Sequence, residues 1–192
     1  MTLVDATWKG EIGNSDWQER VIAKTDAAVV WTKGYIKKTN ANKYVKYLKY
    51  VLKHKWYVFV ECCNRGLIWQ GIIHDWSKFM PCEFIPYANN FFGTAEDKKK
   101  YRLKMKSAWL HHQNYNPHHW QHWIEYNKNL CRPHPMPPRY AKEMLADWVG
   151  AGKVQGNTHP DEVREWYLNN KDDMLLYSGT RAWIESELNI NN

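Results

Sequence analysis

Apolar residues fall into helical register from Asn42 onward. Tyr44, Tyr47, Leu48, Val51, Leu52, Tyr57 and Val58 recur at helical intervals, which predicts a helix carrying His54. Asn64-Arg65-Gly66 breaks it, and a second apolar stretch, Leu67 to Ile73, ends on His74 and Asp75. Pro81 and Pro86 then permit only short helical pieces, with Pro81 suited to a first turn. Gly93-Thr94 reads as a turn, and Thr94-Ala95-Glu96-Asp97 starts a helix that runs through Lys98 to His112. Pro117 ends that element and opens another, His118 to about Leu130, in which Trp120, Trp123 and Tyr126 have the spacing of a core stripe. Arg132 to Pro138 reads as a loop, and Tyr140 to Val149 as a helix that bears Asp147 and is stopped by Gly150 and Gly152. Two further helices are expected, one from Thr158 or Pro160 through Val163, Trp166 and Tyr167, the other from Ala182 to Leu188. No alternating strands or internal repeats are evident, so the expected class is all-α.

The first 40 residues do not share this pattern. Asp16 to Trp31 suits a helix, yet Val29-Val30-Trp31 suits a strand equally well, and periodicity cannot arbitrate so short a run. Residues 1–40 are therefore read as an extension of undecided structure, and 41–192 as one helical domain, a division that suits a chain of 192 residues.

Composition adds two constraints. Twelve Trp and twelve Tyr imply an aromatic, partly polar core, because each large ring buries wide area and brings a polar atom that needs a partner. Lys and Arg exceed Asp and Glu by 27 to 20, and the net charge of +7 favours anionic partners such as nucleotides or nucleic acid. Lys33, Lys37, Lys38, Lys43, Lys46 and Lys49 cluster in one stretch, and their plain reading is a solvated face. Cys62, Cys63, Cys82 and Cys131 form neither a CxxC pair nor a disulfide framework, and Cys62 and Cys63 read as core residues. With no secretion signal and no apolar run of membrane-spanning length, a cytoplasmic protein of a bacterial or host cell, with no membrane partner, is the expectation.

The chemistry concentrates at His74-Asp75-Trp76-Ser77-Lys78. Adjacent imidazole and carboxylate groups suit a divalent metal, and Lys78 stands where it can hold a phosphate beside that metal. His54, His74, Asp75 and Asp147 lie on or beside separate helical segments, apart from the adjacent pair, and rigid helices can bring such ligands together. Two nitrogen and two oxygen ligands would leave positions open on an octahedral ion for water and a substrate oxygen. Asp161, Asp172 and Asp173 read as helix-start residues, and His134 and His159 as loop residues.

The order His54, His74-Asp75, Asp147 across a helical chain resembles the HD superfamily of metal-dependent phosphohydrolases, over roughly residues 42–150. His74-Asp75-Trp76-Ser77-Lys78 looks like the HDxxK variant of that superfamily, in which the lysine lies near the phosphate or the attacking water. The same run, with Trp109-Leu110-His111-His112, His118-His119-Trp120 and Met144-Leu145-Ala146-Asp147-Trp148, is also similar to an uncharacterised family of small proteins from bacteria and their phages. The resemblance implies an HD-domain-like helical bundle that hydrolyses a phosphate ester, with a nucleotide or another phosphorylated small molecule as partner. Asp75 and Lys78 would be the catalytic residues, and Lys78, Arg65 and Arg139 would contact the phosphate.

One or two divalent ions are expected per chain, from among Mn, Fe, Co, Ni, Zn and Mg. In two-metal HD enzymes extra histidines hold the second ion and the dyad Asp bridges the pair, which makes His111, His112, His118 and His119 the candidates for a second site. His111 and His112 stand about 100° apart on a helix and can share an ion only if the helix ends there. His118 and His122 have the i, i+4 spacing that puts two imidazoles on one helix face. Two competing readings remain. One is a non-catalytic nucleic-acid-binding or interaction protein with a vestigial or structural metal site, supported by the alternation of Lys and Tyr from Lys43 to Tyr50. The other is a structural His-rich zinc protein, which chelation would unfold.

Overall fold

The computed structural model describes residues 42–128, 130–156, 159 and 161–190, so the extension expected over residues 1–40 lies outside the described residues. Asn42 caps the first helix, α1 (Lys43–Asn64), by accepting a hydrogen bond from the Tyr44 N–H at 3.1 Å. On this helix Tyr47, Val51, His54, Val58, Glu61 and Cys62 are buried and Lys46 and Lys49 exposed, but Leu48 and Leu52 of the predicted stripe are exposed as well. Arg65 ends it, and Gly66 turns the chain with φ of 72°, a region that glycine enters without penalty. The short helix α2 (Ile68–Ile73) follows and delivers His74 and Asp75 as the sequence implied.

A 3₁₀ turn, Trp76–Phe79, leads to α3 (Pro81–Phe92), which is longer than its two prolines led us to expect. Pro81 occupies the first turn, where no N–H is needed, and Pro86 lies inside the helix. The bond Pro86 removes is the one to the Cys82 carbonyl, and Cys82 is an exposed residue, so water can serve that oxygen. Thr94 and Asp97 form a reciprocal capping box at 3.0 and 3.2 Å, opening α4 (Ala95–Tyr115).

After α4 the structure departs from the predicted helix over His118 to Leu130. A 3₁₀ turn, Trp120–Trp123, precedes an antiparallel hairpin of β1 (Ile124–Asn127) and β2 (Leu130–Pro133), registered from Ile124 opposite Pro133 to Asn127 opposite Leu130. Trp120 and Trp123 still pack against core residues, but Tyr126 is exposed on β1, so the helical stripe is not realised. The expected stop at Gly150 and Gly152 also fails: α5 (Pro138–Val154) runs through both. A Cβ at Gly150 would stand 2.5 Å from Val58 Cγ2 and 3.0 Å from the Val58 nitrogen, so this glycine lets α5 approach α1 closely. Helices α6 (Glu162–Asn170) and α7 (Ser178–Glu187) follow, separated by a 3₁₀ turn at Lys171–Asp173.

With seven α-helices and one two-stranded sheet among the described residues, the fold is all-α. Helix α1 is its axis: α5 packs most extensively on one side, and α3, itself paired with α4, on the other. One apolar cluster, including Tyr47, Val51, Tyr87 and Trp109, fills the α1–α3–α4 side. A second, including Met144, Leu145, Trp148, Tyr167 and Ile184, fills the side of α5 that faces α6 and α7. Val58, Cys62 and Ala146 bridge α1 to α5. A fully buried side chain of the size of Val58 contributes about 1.5–3 kcal/mol. His54 lies between Val51 and Val58 on the buried stripe of α1, and Asp147 follows Ala146 on α5, so polar groups are embedded where the two helices meet.

Candidate metal centre

Adjacent residues on a helix diverge by about 100° and on a strand point to opposite faces, so a neighbouring His and Asp do not ordinarily share a target. Here Asp75 adopts the left-handed conformation, φ 53° and ψ 27°, between the end of α2 and the 3₁₀ turn. Aspartate tolerates this region better than most residues. The sharp reversal leaves both His74 and Asp75 1% exposed. Lys55 of α1 secures the turn by donating to the carbonyl oxygens of His74 and, at 3.3 Å, of Ile72.

The structure brings His54, His74, Asp75 and Asp147 together, one atom of each able to act as a ligand. His54 Nε2 lies 3.2 Å from Asp75 Oδ2 and 3.1 Å from Asp147 Oδ1. His74 Nε2 lies 3.2 Å from Asp75 Oδ2, 3.4 Å from Asp147 Oδ1 and 3.4 Å from His54 Nε2. Ligand bonds of about 2.1 Å place neighbouring donor atoms about 3.0 Å apart around an octahedral ion and about 3.4 Å apart around a tetrahedral one. The observed spacings fall in this window.

A second group forms around the other oxygen of the same carboxylate. Asp75 Oδ1 lies 3.3 Å from His112 Nε2 and 3.4 Å from His118 Nε2, and His119 completes a set whose ligand atoms lie within 4.8 Å of one another. Asp75 Oδ1, Asp147 Oδ1 and the Nε2 atoms of His112, His118 and His119 are buried without a hydrogen-bond partner. So many convergent, unsatisfied lone pairs are costly unless a cation receives them, and the donor set of imidazole and carboxylate suits a divalent transition metal.

Two details of the sequence reading are corrected here. Helix α4 continues to Tyr115, so His111 and His112 cannot both face inward. The His111 side chain is instead 38% exposed, bonded through Nδ1 to Glu83 Oε1 at 2.7 Å, and Asp75 stands in the second group in its place. His118 and His119 both belong to the group because a turn replaces helix there, the His119 N–H donating to the Asn116 carbonyl at 3.1 Å and His119 taking φ −82° and ψ 129°. The helical i, i+4 relation of His118 to His122 does not exist, and His122 Nδ1 donates to the Asn114 carbonyl at 2.9 Å.

Outside the ligands stand carboxylates that the sequence reading passed over. Glu143 Oε1 accepts from His74 Nδ1 at 3.0 Å and lies 3.2 Å from His118 Nδ1, so one oxygen serves a histidine of each group. Glu83 Oε2 lies 2.8 Å from His112 Nδ1, with Ser77 Oγ 3.1 Å from the same nitrogen. Asn116 donates to Ser77 Oγ at 2.8 Å. A carboxylate on Nδ1 fixes the tautomer and directs the Nε2 lone pair inward. A signal for Glu143 was available, since it precedes Asp147 by four residues and shares its face of α5. Glu83 had the look of an ordinary acidic first-turn residue.

The electrostatics is that of a densely charged, dry cluster. Burial alone would raise the Asp75 carboxyl, but His74, Lys78 and His112 hold it well below its ordinary range. Asp147 is lowered in the same way against burial by His54 and His74, and Glu143 is brought to about 2, with His118 and His74 overcoming burial. Burial opposes a charge on His74 and His112, yet Asp75 and the flanking carboxylates raise both. His119 is the opposite case, pushed well down by burial and by His118 and His112, and so keeps a neutral ring. Lys78 is 4% exposed, with Nζ 2.5 Å from Asp75 Oδ2, and Asp75 and Asp147 raise it against burial. Raised His74, His112 and Lys78 thus stand against lowered Asp75, Asp147 and Glu143, so positive charge is favoured where the carboxylates converge, and a divalent cation can supply it in place of imidazole protons.

The other candidates are placed elsewhere. Arg65 is engaged by Glu61, at 2.6 Å, near the C-terminal end of α1. Arg139 lies over the Tyr140 ring on the exposed start of α5. Cys62 is buried, its thiol pushed up to about 11 chiefly by burial, Cys63 is half-buried, and all four cysteines are free. No helix among the described residues is long and apolar enough to cross a membrane.

Fold and site together define an all-α protein with buried His, Asp and Glu groups able to hold a metal ion. The chain belongs to a family of unknown function (DUF5662), whose model matches residues 43–190 and so takes in every member of both groups. No curated protein and no solved structure matches the chain.

Proposed function

We propose that this chain is a metal-dependent phosphohydrolase of the HD type, acting on a nucleotide or a related phosphate ester. The observation that carries the reading is the division of Asp75: Oδ2 faces His54 and His74, while Oδ1 faces His112 and His118. One carboxylate placed between two nitrogen-rich groups suits a pair of ions, His54, His74, Asp75 and Asp147 holding one, and Asp75, His112, His118 and His119 the other. When bound, such ions supply Lewis acidity to a phosphate oxygen and make a water nucleophilic near neutral pH.

The chain's own residues set the remaining conditions. Glu143 and Glu83 hold the imidazoles in the tautomer that turns Nε2 inward. Lys78 keeps its proton at Nζ and presents fixed positive charge beside Asp75, where it can neutralise charge developing on a phosphoryl oxygen. The ligands' burial excludes bulk water, which strengthens each of these interactions. The test is a phosphate-release screen across nucleotides with Mn, Fe, Co, Ni, Zn and Mg added in turn. Release that requires metal and falls at least about a hundredfold in Asp75→Ala supports the reading. A folded, metal-loaded protein inert toward every nucleotide and simple phosphate ester would refute it.

A further inference from the structure

Helix α2 rests on α1 through Gly71, where a Cβ would stand 3.0 Å from both Cys62 Cβ and Phe59 Cδ2. Gly71 is the only buried residue of α2, so the bulky Ile68, Trp69, Ile72 and Ile73 are all left facing water. Neighbours on both sides extend this surface. On α1, Leu52 and Trp56 are exposed one turn apart, and the Trp56 ring lies 6.1 Å from that of Phe59, the residue that meets Gly71. Beyond α2, Trp76 lies beside Lys55, whose Nζ is 5.6 Å from the ring centroid and also donates to the Ile72 carbonyl.

Trp56, Trp69 and Trp76 are 63, 67 and 62% exposed. At up to about 250 Å² for a whole tryptophan, the three leave roughly 450 Å² in water, already as large as the biggest apolar patch of an ordinary monomer, about 300–600 Å². The adjoining aliphatic side chains enlarge it further.

The charge around this patch has one sign. Lys49 precedes Leu52 by three residues and Lys53 precedes Trp56 by three, so two exposed lysines border the apolar residues of α1. The acids of residues 42–95 are Glu61, Asp75 and Glu83, and all three are buried. Helices α1 to α3 therefore offer solvent apolar and cationic groups and no exposed carboxylate.

We infer that this surface docks on a bilayer rich in anionic phospholipid, an assignment that does not depend on the hydrolase reading. Tryptophan is at home at the level of the headgroups, where its ring is sheltered and its N–H stays wet, and the isoleucines reach the acyl boundary beneath. Lys49 and Lys53 then meet lipid phosphates. A second copy of the chain answers only half of this, because it would bring lysine borders together with no exposed acid to receive them. Residues 1–41 hold six Lys and Arg against five Asp and Glu, and so bring no net negative charge either. The expectation of no membrane partner came from the lack of a membrane-spanning run, and a contact made at the surface needs none.

The experiment mixes the full chain with vesicles of pure phosphatidylcholine and with vesicles of equal parts phosphatidylglycerol and phosphatidylcholine. Binding is read by flotation and by tryptophan emission. The chain floats with the anionic vesicles, its emission shifts to the blue, and binding weakens as salt is raised. The double variant Trp56→Ser, Trp69→Ser lowers the partition at least about tenfold, and Lys49→Gln, Lys53→Gln lowers it about thirtyfold on anionic vesicles. Both keep the melting behaviour and bound metal of the parent, because all four side chains are exposed. A wild-type chain that stays unbound, that partitions equally into both kinds of vesicle, or whose affinity neither double variant changes would overturn the assignment. So would a stable wild-type dimer that does not float and that the tryptophan variant dissociates, since the surface would then belong to a second copy.

Discussion

Asp75 Oδ1 lies 3.3 Å from His112 Nε2, although the two residues are brought together from a strained turn and from the last turns of a long helix. The other oxygen of Asp75 is committed to His54 and His74. That division sorts the candidate ligands into two overlapping groups, which His74, His118 and Glu143 join, and substitutions are expected to separate along it.

Removing a ligand private to one group will cost one ion. His112→Ala is expected to lower the bound metal by about one ion per chain and leave the group of His54, His74 and Asp147 loaded. His54→Ala should have the complementary effect. Elemental analysis after dialysis against the metal distinguishes the two, and equal loss in both variants would mean that the groups do not act separately.

The outer carboxylates differ in reach. Glu143 contacts a histidine of each group, whereas Glu83 contacts His112 of the second group and the outward-facing His111. Glu143→Gln should weaken both ions by about 10–100-fold, and Glu83→Gln only the one held by His112. Competition with a chromophoric chelator gives both affinities. Weakening of both ions to the same degree by Glu83→Gln would contradict the assignment.

Gly150 is a packing position. With a Cβ forced to within 2.5 Å of Val58 Cγ2 and 3.0 Å of the Val58 backbone, Gly150→Ala must part α1 from α5. A cost of about 1–3 kcal/mol is expected in denaturant melts. Because those helices carry His54 and Asp147, metal affinity should fall as well. An unchanged melt would show that α1 and α5 have room that the structure does not record.

The same two helices are tied by Glu61, which meets Lys153 of α5 at 2.5 Å and Arg65 at 2.6 Å. Burial raises the Glu61 carboxyl, but Lys153 and Arg65 outweigh it and hold it below its ordinary value. A depressed folded-state value means that the pair's contribution is complete above the unfolded value of about 4.3 and is lost as pH falls through the folded one. Glu61→Gln should therefore cost about 0.5–1 kcal/mol at pH 7, screening by solvent included. The gap from wild type should close progressively below about pH 4, as paired melts across that range will show.

Much of the helical framework was legible because its signals are local. The helix start at Thr94 to Asp97 acts within a few residues and the structure realises it, and the apolar stripe around His54 is realised at Tyr47, Val51 and Val58 though not at Leu48 and Leu52. The signals that misled depend on distant partners. Gly150 has the look of a helix stop until Val58 is seen against it. His118 and His119 look helical until they are seen in the turn that follows α4. The first ligand group was readable because His74 and Asp75 are adjacent and lie between His54 and Asp147. The second was half-readable: the histidines stood out, but which of them face Asp75 depends on where α4 ends. Glu143 showed only as the residue one helical turn before Asp147, and Glu83 was invisible as a partner because a hydrogen bond over 29 residues leaves no periodic trace.

Metal stoichiometry of the wild-type chain and of Asp75→Ala, measured by elemental analysis after equilibration with Mn or Zn and removal of free ion, reaches the central claim most directly. Two ions per wild-type chain, and none in a variant that still shows the helical spectrum of the parent, is the expected result. A wild-type chain that retains no metal, or an Asp75→Ala chain that retains as much as wild type, would contradict it.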